Sequence, residues 1–306
     1  MTYDFAPIRE GLVETAEIPC RLCGSSRYRE IFRADNIRRR AKRFFSLVEC
    51  EDCGFRFFNP SPIEESLKYY YEDYMAHVPE RINWVEKIYY QLFRNVRGLK
   101  PPGKLLDIGC GNGKYMDFMR SRGWEVTGVD TGPACDFPRS ALKMTVHEGQ
   151  LWDQKFPDSF FDVITLWFVI EHVWDLHRLM AECRRILKPG GQLILSTLNS
   201  ASFEARLFKR YWWHLLAPEH LWQFDKRSLT ALLEKNSLQV DYFRQEPVCC
   251  GILGSIQNIL DAKRIPLNIN SLVFKMLFVP LDLLCSLLGS SGLMTVYAKK
   301  EPFVNK

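Results

Sequence analysis

No stretch of this 306-residue chain reaches the roughly eighteen uninterrupted apolar residues that a membrane-spanning helix requires, so none is expected. The opening segment, MTYDFAPIREGLVETAEIP, is charged throughout and lacks the apolar centre of a secretory leader. The chain is therefore expected in the cytoplasm, where its ten cysteines would stay reduced or bind metal. A large charge excess is missing as well. The net +5 permits nucleic acid or anionic lipid as a partner and demands neither. Internal repeats and low-complexity tracts are absent, which sets aside solenoids and disordered arrays. What remains, 47% hydrophobic and 25% charged residues, is the composition of a globular protein able to bury a core.

Residues 20–60 hold two cysteine pairs, CRLCG and CEDCG, among short β-prone runs (FFSLVEC, FRFFNP), and the prolines of NPSP close this unit. A helical stretch follows. PIEESLKYYYEDYMAH has a proline near its start and acids in its first turn. RINWVEKIYYQLFRNVRGL spaces Ile82, Val85, Ile88, Tyr89, Leu92, Phe93 and Val96 mostly at three- and four-residue intervals, an amphipathic helix. From residue 104 strands and helices alternate: KLLDIG, WEVTGVD, KMTVHEG, FDVITLWF and GQLILSTLN are expected strands, with QVDYFRQEP and MTVYAKK after them. Such alternation predicts an α/β fold, a Rossmann-like, mostly parallel seven-stranded sheet with helices on both faces, preceded by the small four-cysteine module.

The expected units are residues 1–60 (four-cysteine module), 61–100 (helical linker and cofactor-covering helices), 101–248 (core), 249–293 (apolar helical insert) and 294–306 (last strand and tail). In the insert, SLVFKMLFVPLDLLCSLLGS lines up Ser271, Lys275, Asp282 and Ser286 on one narrow helical stripe in greasy surroundings, with Pro280 as a kink. It suits a lid over an apolar acceptor, a peripheral membrane contact through 271–290, or a buried hairpin or dimer surface.

The glycines of DIGCGNG, Gly109, Gly111 and Gly113, let a ligand lie against the end of a strand, and the helix that follows points its N–H groups at it. That pattern alone fits several nucleotide cofactors. Two acids narrow the choice. Asp130, at the end of VTGVD, suits a ribose diol, whereas Asp107 beside the turn would repel a pyrophosphate and serve an ammonium instead. Ribose, ammonium and no phosphate together describe S-adenosylmethionine.

DIGCGNG, GVD, FPDSFFDVITLWFVIEH and LHRLMAECRRILKPGGQLILSTLN, in this order, resemble the successive motifs of the class I S-adenosylmethionine-dependent methyltransferases. The resemblance runs from about 104 to 200 and continues weakly to 248. It implies that Asp107, Gly109, Gly111 and Gly113 surround the methionine part, that Asp130 takes the ribose, that Gln150 and Leu151 lie beside the adenine, and that Trp167 flanks the cofactor. Many relatives carry an acid where this chain has Gln150, whose carbonyl oxygen also accepts a bond.

Cys20-x2-Cys23-Gly and Cys50-x2-Cys53-Gly are two knuckles whose thiolates can converge on one ion, a closed tetrahedral site for structural zinc. A redox CxxC needs one such pair; two with glycine at the same place favour metal. About forty residues bury too little surface to fold alone, so the metal would supply much of this unit's stability. Between the knuckles, Arg38, Arg39, Arg40, Lys42 and Arg43 suit either a solvated loop or nucleic acid, with acids at 49, 51 and 52 weakening the second. The knuckles, the tyrosine-rich KYYYEDY and the core together resemble a bacterial group that includes sugar C-methyltransferases, by which Tyr70 or Tyr74 would close over the cofactor.

Methyl transfer needs an in-line nucleophile and a group to take its proton. Glu171-His172 follows the fourth strand of the core and Glu219-His220 the fifth. Glu219-His220 with Phe224 resembles an EH…F segment near the acceptor in related methyltransferases, so His220 is the expected base, aided by Glu219. His172 would shape the acceptor pocket, His214 between tryptophans is a further choice, and Cys110 is a space-filler. The function expected is methyl transfer to a small or lipid-linked metabolite, a sugar among the candidates, at oxygen or carbon. RNA modification through the ribbon, or a non-catalytic scaffold on the cofactor fold, are the alternatives.

Overall fold

The structure is a computed structural model and describes residues 13–37, 43–71, 82–96, 98–131, 135–247, 251–269 and 271–301. Arg38, Arg39, Arg40, Lys42 and Tyr74 lie outside them. The N-terminal part comprises β1 (Thr15–Ala16), β2 (Tyr28–Ala34), β3 (Phe45–Cys50), β4 (Arg56–Phe58) and β5 (Ser61–Pro62), then the helices α1 (Lys68–Tyr71) and α2 (Trp84–Phe93). The core begins with β6 (Lys104–Ile108), α3 (Lys114–Arg120), β7 (Glu125–Asp130), α4 (Asp136–Ser140) and β8 (Thr145–Glu148). It continues with β9 (Phe161–Trp167), α5 (Leu176–Ile186), β10 (Leu187–Leu198), α6 (Phe203–Phe208), β11 (Trp222–Gln223), α7 (Lys226–Lys235) and β12 (Leu238–Glu246). The insert forms α8 (Gly251–Ala262) and α9 (Leu272–Leu287), and β13 (Leu293–Lys300) returns to the sheet.

Seven strands build the main sheet in the order β12-β13-β10-β9-β6-β7-β8. β13 runs antiparallel to both neighbours and the remaining pairs are parallel. Helices on both faces explain why β6, β9 and β10 read as unbroken apolar runs: Leu105, Leu106, Val163, Ile164, Leu193 and Ile194 are all buried. Three helices start at short polar side chains. Asp175, Ser202 and Asp225 accept the N–H groups of Arg178, Ala205 and Ser228 at the starts of α5, α6 and α7.

The cysteine module is not a separate bead. Its antiparallel sheet has the order β11-β4-β3-β2, so the fourth strand comes from the core loop before α7. Phe55 and Phe57 from the module meet Trp222 and Phe224 from that loop, all fully buried, with Phe55 and Phe224 ring centres 5.2 Å apart. Arg43, the described member of the basic run, donates to Val13 O and Thr15 Oγ1, both at 2.7 Å, and so braces the module. Tyr70 is buried in the same core cluster.

α2 turns its faces differently from the expected amphipathic pattern. Val85, Ile88 and Leu92 are exposed, while Tyr90 packs edge-on against Tyr115 and Phe118 of α3. The reason is aromatic: α3 offers rings, and rings pair best with rings. Among the described residues no helix is long and apolar enough to cross a membrane.

Candidate active site

β6 lies between β7 and β9, so connections leave its carboxyl end toward opposite sides, the switch point at which open α/β sheets place their ligands. Asp107, near the tip of β6, is only 2% exposed, and its Oδ1 accepts a bond from Thr165 Oγ1 at 2.6 Å. Burial pushes its carboxyl up to about 7 against the opposing pull of Thr165. Asp130 closes β7, and its Oδ2 accepts the Gly111 N–H at 2.8 Å, tying the glycine turn to the second strand. Gly109 has φ +69°, and a Cβ there would fall 2.3 Å from Val169 Cγ2. Only glycine fits that turn, with or without a ligand.

Gln150 is half-buried beyond β8 and precedes the buried Leu151, which opens a 3-10 turn. Trp167 ends β9 and is buried, with its ring 5.0 Å from that of Tyr115 and 4.7 Å from the Arg94 guanidinium. Phe168, next in sequence, has φ +59°, a sharp turn that carries the chain into the 3-10 turn Ile170–His172.

Arg94, which sequence reasoning did not single out, sits at the end of α2 among Tyr89, Tyr90, Trp167 and Phe168. Its Nε and the Trp167 Nε1 are buried donors with no acceptor among the described residues. Asp107 lies close enough for its charge to feel the guanidinium. Two unmatched donors beside a buried carboxylate make a polar pair suited to a zwitterion, whose carboxylate and ammonium need opposite partners. Nothing in the sequence sets Arg94 apart from its neighbour Arg97.

The 3-10 turn carries the second group. His172 Nδ1–H donates to Glu219 O at 3.0 Å and His220 Nδ1–H to His214 O at 2.6 Å, the carbonyls fixing both tautomers. The two rings meet edge to face with centres 4.8 Å apart. Glu171, fully buried, accepts from Thr197 Oγ1 at 3.0 Å through Oε2, while Oε1 has no partner among the described residues. Ligand atoms of Glu171, His172 and His220 lie within 4.8 Å of one another, a donor set able to take a divalent cation. Burial raises Glu171 to about 7 and lowers His172 to about 4. The Glu219 side chain is engaged by the cysteine module: its Oε1 accepts from Asn36 Nδ2 at 2.6 Å. His214 stacks edge-on to Trp212, 5.8 Å between ring centres.

The four cysteines converge. Cys20 and Cys53 sulfurs are 3.6 Å apart, Cys23 and Cys50 3.5 Å, and all four lie within 4.8 Å of one another. Four thiolates about 2.3 Å from one ion sit about 3.8 Å apart, whereas a disulfide needs about 2.05 Å, so the donor set fits a tetrahedral metal. Gly24 and Gly54, at φ +83° and +74°, close the knuckles through N–H bonds to Cys20 O and Cys50 O.

A family profile described as a methyltransferase domain matches residues 82–242. Similar proteins include the ubiquinone biosynthesis O-methyltransferase of Pseudomonas aeruginosa, 32% identical over 159 residues, 49% of this chain and 61% of that one. The enzyme of the same name from Pseudomonas syringae pv. tomato is 33% identical over 128 residues, 40% and 51% of the two chains. This chain thus spans 61% and 51% of the length of these two relatives. Among solved structures, that of the cyclase SpnF aligns with a TM-score of 0.54 over 79% of this chain and 98% of that one, at 16% identity, a likeness of fold. With more than half of its length matched by the domain profile, and the strand order and glycine turn described above, the chain belongs to the methyltransferase family.

Proposed function

We propose that this chain transfers a methyl group from S-adenosylmethionine to an oxygen or carbon atom of a small or lipid-linked metabolite, with sugars among the candidates. The observation that carries the reading is the pairing of two sites at one strand switch. Asp107, Asp130 and the glycine turn stand on one side; Glu171 and His172 follow directly from Val169, whose side chain abuts Gly109, and His220 joins them through its ring contact with His172. S-adenosylmethionine, when bound, supplies an electrophilic methyl group on a sulfonium. Asp130 serves its ribose, Asp107 its ammonium, and Arg94 its carboxylate, while Gln150 and Leu151 border the adenine and Trp167 walls the crevice.

On the acceptor side, His220 has its Nδ1 proton committed to His214 O, which leaves Nε2 as the basic nitrogen. His220 takes the proton of an acceptor hydroxyl or activated carbon through that atom. Burial keeps His172 neutral at physiological pH, so it lines the pocket without adding charge. Glu219 acts through position: its backbone carbonyl orients His172 and its side chain is clasped by Asn36. The four cysteines hold structural zinc, which fixes the module that carries Asn36.

Titration calorimetry with S-adenosylmethionine, followed by incubation with methyl-labelled cofactor and fractionated metabolites, tests the reading. Binding and label transfer are expected. Failure to bind would leave a scaffold that keeps the fold alone.

A further inference from the structure

We propose that the outer face of α9, together with α6, docks on an anionic lipid surface. The helix is inside out. Asp282 and Cys285 are buried, at 2% and 6% exposure, and Ser286 Oγ reaches toward Gln245 O at 3.5 Å, whereas Leu287 and Leu288 stand 85% and 72% exposed. Met276, Leu277 and Leu284 extend this exposed apolar stripe toward the other end of the helix. The polar stripe anticipated along Ser271, Lys275, Asp282 and Ser286 therefore turns inward at its C-terminal half; the Lys275 side chain lies outside the described ones. A row of leucines facing water is unfavourable unless something apolar covers it.

The patch continues onto α6. Phe203 N–H donates to Ser290 O and Oγ at 3.1 and 2.8 Å, which seats the start of α6 against the end of α9, and Phe203 and Leu207 are exposed. Charge selects the occupant. The acids here, Glu204 and Asp282, are buried, and the exposed charges beside the leucines are cations: Arg206 on α6, Lys209 directly after it, and Lys226, whose Nζ comes within 3.9 Å of the Cβ position at Gly289. At the turn leaving α8, Lys263 and Arg264 are exposed, and the acid there, Asp261, accepts from Gln257 Nε2 at 2.8 Å. Two copies packed on a twofold axis would bring these cations against each other, whereas anionic headgroups would satisfy them while the leucines enter the acyl boundary. α9 also leans on the carboxyl end of β12, to which α2 is tied by the Tyr89 hydroxyl on Glu246. The crevice end of the sheet would thus face the lipid. This docking goes beyond the methyl-transfer reading and does not depend on it.

Cosedimentation of the full chain with phosphatidylcholine vesicles, with and without phosphatidylglycerol, tests the proposal. Binding to the anionic vesicles is expected, weakened by salt. The double variant Leu287→Asp, Leu288→Asp should bind them at least about tenfold more weakly, and Arg206→Glu with Lys209→Glu should lose about tenfold on anionic vesicles only. Calorimetric binding of S-adenosylmethionine by both variants reports separately on the cofactor reading. A wild-type chain that ignores anionic vesicles, or leucine variants that sediment as it does, would overturn the proposal. So would a solution dimer that the leucine changes dissociate without any vesicle binding.

Discussion

Replacing Asp107 by asparagine should make the protein more stable and less able to bind its cofactor, and the first effect should depend on pH. The carboxyl is buried and releases its proton only near pH 7, against an ordinary value of 3.8. The unfolded chain gives up that proton near 3.8, so stability falls as pH rises from there to about 7 and is flat above. Each pH unit in the window is worth about 1.4 kcal/mol, so the ionised carboxylate costs the folded state roughly 4 kcal/mol at pH 8. Asparagine keeps an oxygen for Thr165 Oγ1 and carries no charge. Allowing for relaxation around the buried charge, the variant should gain roughly 2–4 kcal/mol at pH 8, a Tm rise of about 5–10 °C. That gain should shrink by more than half at pH 5. Cofactor affinity should fall about 10- to 100-fold with the loss of a charge-assisted bond to the ammonium. Urea unfolding at several pH values and titration calorimetry measure both effects. Equal stability of the two proteins at pH 8, or a gain that does not vary with pH, would refute the argument.

Substituting His220 by alanine should lower turnover about 10²- to 10⁴-fold while calorimetric cofactor binding persists; unchanged turnover would remove the base assignment. Arg94→Met keeps the apolar stem among its rings and loses the donors, so the dissociation constant for S-adenosylmethionine should rise about tenfold or more, measured by calorimetry. The purified protein should carry one zinc per chain by elemental analysis, and Cys50→Ser should release it. That variant should also melt at lower temperature, because the module's sheet and the Trp222–Phe224 cluster share one core.

The main sheet was legible because its central strands are buried on both faces and its glycine turn follows the first of them. KLLDIG, FDVITLWF and GQLILSTLN announce that arrangement without help from distant residues. β2 left no such mark: Tyr28–Ala34 carries charges at Arg29, Glu30 and Arg33 with no period of two, and only its partner β3 makes it a strand. α2 misled for a related reason, since the apolar spacing put Ile88 on the buried stripe and left Tyr90 off it, while its neighbour α3 offers rings that Tyr90 meets. At the candidate site, the strand-tip acids and the two histidines were visible by position. Arg94 and Asn36 were not, because each acquires its meaning from a contact across the fold, Asn36 with Glu219 and Arg94 with Trp167.

The shared sheet has a consequence for how the chain is made. β4 is synthesised early, yet its outer edge waits for Trp222 and Gln223, and Phe55 and Phe57 wait for the rings that will cover them. Until those residues leave the ribosome, the knuckles must hold an exposed aromatic face with little beyond the ion that their four thiolates would bind. A nascent chain starved of zinc would therefore be most vulnerable midway through translation, before the strand and rings at 222–224 exist to shield it.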